Sequence, residues 1–247
     1  MRSLNNVESI PRPPNFDPSP SPSSPYGQVA ETVQERPEHA LSVSYPKGAL
    51  ICLEGNPASG VFILLSGRVK ESLSCSDGKK VIVRISEPGQ IVGLASVLSD
   101  GFYDMTAETL ERAQVEFLPK KEFLDRLGTS EELARKVTKQ LGQNCKDAYQ
   151  NLRRFGFSVN VPQRIAALVL QWADQPAARM QNGASRFQIT LTQEEVGQLV
   201  GTTRETVSRT LMNFRQKGWI TIKGATWTIY NRNALVRMSE MGDLRAA

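Results

Sequence analysis

Residues 192–217, TQEEVGQLVGTTRETVSRTLMNFRQK, constrain this chain more than any other stretch, because they read as two short amphipathic helices joined by a glycine turn. Thr192 can cap the first helix and Glu195 can reach back to it, closing a capping box, while Val196, Leu199 and Val200 form an inner face. Gly201 supplies the turn. Thr202 or Thr203 caps the second helix, in which Val207, Leu211 and Phe214 follow i, i+4, i+7 spacing and lie on one stripe. Arg204, Glu205, Ser208, Arg209, Met212 and Gln216 fall within the opposite arc.

That pattern suits DNA reading. The first turn of a recognition helix meets base edges in the major groove. An arginine fork can bond O6 and N7 of guanine, and a glutamate can accept from the cytosine amino group. Phosphate binding alone would not need Glu205. Two alternatives stay open at this point: an ordinary helical hairpin, and a structural Glu205 placed third in a helix capped by Thr202. The chain just beyond the second helix favours DNA. Its segments 219–224 and 226–230 alternate as two short strands around a Gly224-Ala225 turn, the pattern of a wing beside a helix-turn-helix.

Charge is distributed to match. From Asn160 onward there are 11 Lys or Arg against 6 Asp or Glu, a net of +5, whereas residues 1–159 hold 19 of each. The whole positive excess lies in the last third, where it would attract phosphates in a salt-sensitive way. A solvated basic face is the bland counterpart.

Length allows about two domains at ~150 residues each. The sequence has no run of eighteen apolar residues and no hydrophobic signal core at its start, so it reads as cytoplasmic, with no membrane contact. Cys52, Cys75 and Cys145 are odd in number and widely spaced, which supports neither a disulfide framework nor a CxxC metal site. His39 is the lone histidine. No nucleophile–base pair, metal cluster or phosphate loop appears, so an enzyme is not expected, and neither a metal nor a cofactor is assigned.

Residues 11–25 contain seven prolines interspersed with serines, within a segment 1–39 expected to be a disordered tail. From residue 40 to 128 the chain reads as short alternating strands punctuated by glycine, at 41–45, 50–53, 61–66, 69–75, 81–86, 91–92, 105–109 and 115–118. Asp77-Gly78 gives a hairpin signal. Such spacing predicts an antiparallel roll with a pocket or a packed core. A short helix is expected at 119–127 and a longer one at 130–155, within a segment 129–159. On it Leu133, Val137, Leu141, Asn144, Ala148, Leu152 and Phe155 recur at spacings of three and four, close to a coiled-coil seam. The alternative is a helix packed on its own roll. A two-fold dimer would present two recognition helices to successive turns of DNA, which favours the seam. Asn160 then caps a helix over 161–173 that opens the C-terminal segment 160–247.

In order of elements and in local motifs the chain resembles the cyclic-AMP receptor protein and fumarate-nitrate reduction regulator (Crp/Fnr) superfamily of bacterial transcription factors, over residues 40 to about 231. In the roll the resemblance rests on Tyr45-Pro46-Lys47-Gly48, Glu54-Gly55, the segment 60–69 and Pro88-Gly89-Gln90-Ile91-Val92-Gly93. In the C-terminal part it rests on 162–167 and above all on 191–209. It implies an α+β protein: an N-terminal antiparallel β-roll of the cyclic-nucleotide-binding kind, a long dimerisation helix and a C-terminal winged helix-turn-helix. It implies a homodimer on double-stranded DNA that regulates transcription, with RNA polymerase as a further partner. Arg204, Glu205 and Arg209 fall on its base-reading positions, in the arrangement of members that read a TGTGA-like half-site. Ser208 falls on a position that varies between branches, and Thr192 and Thr203 resemble phosphate contacts. The segment 175–186 is read as a loop that lies, by position, where the family meets polymerase.

The roll departs from the ligand pattern. Members that bind cyclic AMP carry an acid after the glycine, and an Arg-Ser or Arg-Thr pair about ten residues on. Here Gly93 is followed by Leu94, and Phe102-Tyr103-Asp104-Met105-Thr106-Ala107 contains no arginine. Tight cyclic-AMP binding is not expected. Residues 1–51 hold no cysteine for an iron-sulfur cluster, and Cys75 has no histidine near it in sequence to share a haem. Cys145, Cys75 and Cys52 stand as redox candidates, and Gly93, Leu94, Tyr149 and Gln150 as a candidate pocket for an unnamed effector. The alternative function is a ligand-sensing module that acts mainly through protein contacts.

Overall fold

The structure is a computed structural model that describes residues 42–75, 78–156, 160–175, 178–181 and 184–240, the side chains of 153–156 and 181 excepted. The expected tail, Asp77 of the hairpin signal and the Phe155 side chain lie outside the described residues.

Eight strands make the roll: β1 Ser42–Tyr45, β2 Leu50–Cys52, β3 Gly60–Ser66, β4 Val69–Ser74, β5 Lys80–Ser86, β6 Ile91–Val92, β7 Thr106–Thr109 and β8 Ala113–Pro119. They form two antiparallel four-stranded sheets, in the orders β1-β8-β3-β6 and β2-β7-β4-β5. Alternation sends Val61, Ile63, Val69, Ala107, Val115 and their neighbours between the sheets into one apolar core. A short helix, α1 Leu94–Leu98, follows β6 where the sequence pattern showed none. Five residues are too few for helical periodicity to register. Leu94 and Val97 are nevertheless fully buried and anchor it to the core.

Helix α2 Lys120–Thr129 leads to the long α3 Glu131–Gly156. The stripe expected to be a single seam is divided. Leu133, Val137 and Leu141 pack on the roll of their own chain. Polar ties reinforce this docking: Gln140 Nε2 donates to the Ile91 carbonyl at 2.7 Å, its Oε1 accepts from the Ile91 amide at 3.0 Å, and Asn151 Nδ2 donates to the Val83 carbonyl at 2.6 Å. Farther along, Leu152 is exposed, as are Cys145, Ala148 and Tyr149. The first half of the stripe therefore satisfies the intrachain alternative, because the roll offers an apolar surface that needs covering.

The C-terminal part begins with α4 Val161–Ala173, whose Asn160 side chain accepts from the Gln163 amide while Gln163 returns the bond, a complete capping box with Pro162 in the first turn. Residues 175–186, read as a loop, instead contain β9 Arg179–Gln181 and the start of β10 Ala184–Gln188. These join β11 Ile220–Lys223 and β12 Thr226–Ile229 in a sheet ordered β11-β12-β10-β9. Strands this short lack a legible period of two, and β10 is specified by Phe187 facing Trp227 across the pair. Helices α5 Gln193–Val200 and α6 Arg204–Gln216 pack over this sheet, and α7 Arg232–Glu240 closes the fold against α4 through buried Leu235.

Candidate nucleic-acid interface

The two central helices are built by their ends. Thr192 caps α5: its hydroxyl oxygen accepts from the Glu195 amide at 3.2 Å, and Glu195 Oε2 accepts from the Thr192 amide at 2.8 Å. Gly201 ends the helix at φ 65°, ψ 50°, the left-handed region that costs glycine little. Gly197 matters for another reason. A Cβ there would sit 2.7 Å from the Thr202 carbonyl oxygen, so the chain can fold back this tightly only over a glycine. Gly197→Ala is accordingly expected to cost about 1–3 kcal/mol of stability, the usual range for forced overpacking. Urea unfolding measures it, and an unchanged midpoint would show that the turn yields freely.

Thr203, not Thr202, caps α6, with the Thr206 amide donating to its hydroxyl oxygen at 3.4 Å. This places Glu205 second in the helix, so the alternative capping box through Thr202 is not formed. The Glu205 carboxyl is held below its ordinary range, first by its own backbone amide, then by the Thr203 hydroxyl, with Arg204 beside it. It is therefore an anion at neutral pH, able to accept a hydrogen bond. Val207, Leu211 and Phe214 are buried in the C-terminal core with Val196, Val200 and Ile220. Arg204, Glu205 and Arg209 are exposed together on the opposite side and Ser208 is half-exposed between them. Met212 is 56 % exposed on the same arc. Beyond the helix, the β11–β12 hairpin carries Lys223 at its exposed end.

Other candidates fall elsewhere. Gly93 takes φ 77°, and the added Cβ of any other residue would meet the Tyr103 ring at 2.8 Å. Leu94 points into the roll core, whereas Tyr149 and Gln150 are exposed on α3, so the four do not meet within one chain. Asp104 Oδ2 accepts from Ser96 Oγ at 2.9 Å. Cys52 is buried, and burial above all pushes its thiol up to about 12, with the nearby Glu71 adding to the effect. Cys75 and Cys145 are exposed. Because the thiolate is the reactive form, a thiol raised that far stays protonated at pH 8 and is also shielded. Iodoacetamide at pH 8 should label Cys75 in the native protein and leave Cys52 unmodified until denaturant is added, as read by intact mass.

Sequence reasoning did not find the junction between roll and helix-turn-helix. Lys70 Nζ lies 3.0 Å from Glu108 Oε1 of the roll and 3.5 Å from Glu195 Oε1, the capping-box acid of α5. The Lys70 and Glu195 side chains are each only 11 % exposed. Arg68 forks onto Glu111 at 3.2 and 3.1 Å and donates to the Thr190 hydroxyl. Ile82 of β5 is fully buried within the C-terminal core cluster. One signal was available: Lys70-Glu71-Ser72 puts polar residues on both faces of one strand, which demands polar partners on both sides.

The Crp-like helix-turn-helix domain matches residues 163–238, and the cyclic nucleotide-binding domain matches residues 42–130. A CRP-like cAMP-activated global transcriptional regulator of Mycobacterium tuberculosis is 30 % identical over 195 residues, 79 % of this chain and 86 % of that protein. An anaerobic regulatory protein of Haemophilus influenzae is 24 % identical over 193 residues, 78 % of this chain and 74 % of its own length. Among solved structures, FixK2 from Bradyrhizobium japonicum superposes with a TM-score of 0.67 at 24 % identity, covering 81 % of this chain and 96 % of that one. A CooA mutant from Carboxydothermus hydrogenoformans gives 0.72 at 21 % identity, covering 85 % and 95 %. With a roll of the nucleotide-binding kind, a long helix, an exposed Arg204-Glu205-Arg209 face on a winged helix-turn-helix, and relatives that are transcriptional regulators along most of their length, the chain belongs to the Crp/Fnr family of DNA-binding transcriptional regulators.

Proposed function

We propose that the protein is a homodimer that binds a palindromic TGTGA-like site, GTGA in one half and TCAC in the other, without control by cyclic AMP. The observation that carries this reading is the α6 surface: two exposed arginines flank an ionised glutamate on the face opposite a fully buried stripe. Arg204 and Arg209 reach guanines, Glu205 accepts from a cytosine amino group, and Ser208 meets a base or a phosphate. The helix-start amides that follow Thr192 and Thr203 hold phosphates, with the exposed Thr203 hydroxyl beside them, while the Thr192 amide and hydroxyl stay in the capping box.

For the dimer, Gly142, Cys145, Tyr149 and Leu152 lie on α3 at spacings of three, four and three, and all four are exposed in the single chain. That stripe is the part of the helix left over after docking on the roll, and it suits a second copy of the same helix. Beside β9, a groove lined by Trp172, Arg179, Met180, Arg186 and Phe187 sets two arginines directly opposite one another across the strands. It supports a contact with RNA polymerase. No helix among the described residues is long and apolar enough to cross a membrane, in keeping with action in the cytoplasm.

Independence from cyclic AMP is supported by the roll. Leu94 stands where a ribose-binding acid is expected, no arginine occurs in 102–107, and Asp104 would repel a phosphate. Selection of bound DNA from a random pool by the untreated protein tests the whole reading. A palindromic GTGA motif, recovered equally with and without added cyclic AMP, is the expected outcome. A motif that emerges only when the nucleotide is present would sink the second half of the proposal.

A further inference from the structure

One buried ionic group in the roll has no part in DNA reading. Glu71, 2 % exposed, lies on β4 two residues from Val69 and so on the same inner face. Across the β4–β5 pair, Arg84 is directly opposite Glu71, and Ser86 is opposite Val69. The carboxylate is fully engaged. Its Oε1 accepts from Arg84 Nε at 2.7 Å and from Ser86 Oγ at 2.5 Å, and its Oε2 accepts from Arg84 Nη2 at 2.6 Å. A forked guanidinium and a hydroxyl inside a roll form an anion site, since both donate to one planar carboxylate with little solvent between.

The neighbouring residue faces the other way. Lys70 leaves the outer side of β4 and meets Glu195, whose second oxygen closes the capping box that starts the helix-turn-helix. Ile82, on β5, is buried in the same C-terminal core. The β4–β5 pair thus carries the Glu71–Arg84–Ser86 group on its inner face and the contacts to the DNA-binding part on its outer face.

We infer that Arg84 and Ser86 form a carboxylate-binding site inside the roll which Glu71 fills as a built-in ligand, holding the helix-turn-helix in its DNA-binding placement without a diffusible anion. This rests on the proposed DNA-binding function and adds how that function is held on. Removing the carboxylate leaves Arg84, its side chain 12 % exposed, without this counter-charge, which favours movement of the strand pair or entry of a substitute anion.

Glu71→Ala deletes the equivalent of one acetate ion, so acetate is the probe. The full-length variant is compared in sodium acetate and in sodium chloride at the same ionic strength, ~50 mM, because DNA affinity falls with salt whatever the anion. In chloride the variant should bind the selected site about tenfold or more weakly than native protein, and acetate should recover most of that loss. Thermal unfolding without DNA provides an independent arm: acetate should raise the midpoint of Glu71→Ala by about 4 °C or more. It should leave native protein and the double variant Glu71→Ala/Arg84→Met unmoved. Should the alanine variant be unfolded in chloride, the same expectation is read as folding on addition of acetate, by circular dichroism.

An alanine variant indifferent to acetate in both folding and stability overturns the site. One that acetate stabilises, but whose DNA affinity matches native protein in chloride, overturns the link to the helix-turn-helix. Native protein that binds no specific DNA would refute the proposed function, and the thermal arm would still decide whether Arg84 and Ser86 hold a carboxylate.

Discussion

Arg204→Ala and Arg209→Ala should each weaken binding to the preferred site by about 1–3 kcal/mol, and each should relax discrimination at one base pair. The size comes from geometry. A guanidinium that makes two parallel bonds to one guanine loses both on truncation, and water does not restore the selectivity between bases. Both side chains are exposed in the free chain and, among the described residues, neither belongs to the ion pairs that tie the fold together, so their loss should leave stability nearly unchanged. Binding measured against a panel of single-base variants separates the roles. A base-reading arginine gives a variant that no longer distinguishes substitutions at its own position, whereas a phosphate contact weakens every sequence alike and lowers the salt slope. Glu205 adds an internal check. Because its carboxylate is negative, it repels phosphates, and Glu205→Ala should raise affinity for random DNA while reducing selectivity at a C·G pair.

The largest effect on stability is expected from Phe214→Ala, at about 3–5 kcal/mol, the usual cost of emptying a buried aromatic site. Phe214 is 1 % exposed and lies on the stripe that anchors α6. Its ring meets Trp219 with centroids 5.3 Å apart, a contact that ties the recognition helix to the start of the wing. The cavity would open beneath the helix, away from DNA. Denaturant titration should show the lost stability, and specific DNA binding should weaken with it, since a helix without its anchor no longer holds Arg204 and Arg209 at fixed spacing. Retention of native stability would mean that the core around Val200, Val207 and Ile220 collapses to fill the space.

Much of this architecture was legible because it depends on local rules. The caps at Thr192 and Asn160, the glycine turn at 201, the buried stripe of α6 and most roll strands arise from neighbouring residues, whose periodicity and end groups carry their own signal. The same holds for the exposed Arg204-Glu205-Arg209 face of α6, since one helical turn determines which residues share a side. Failures occurred where the signal was short or shared. Strand β9 has three residues and helix α1 five, too few for a period to emerge. The α3 stripe had two claimants, a partner helix and its own roll, and spacing alone does not choose between them.

By itself, then, the amino-acid sequence determined the build of the helix-turn-helix: which residues cap, which are buried and which face outward on α6, all consequences of contacts within a few residues. Only the tertiary structure decided what Lys70, Glu71 and Arg84 do. Their partners come from strands and helices up to 125 positions apart. A buried charge is tolerable only beside its counter-charge, and which counter-charge arrives is settled by how the sheets close.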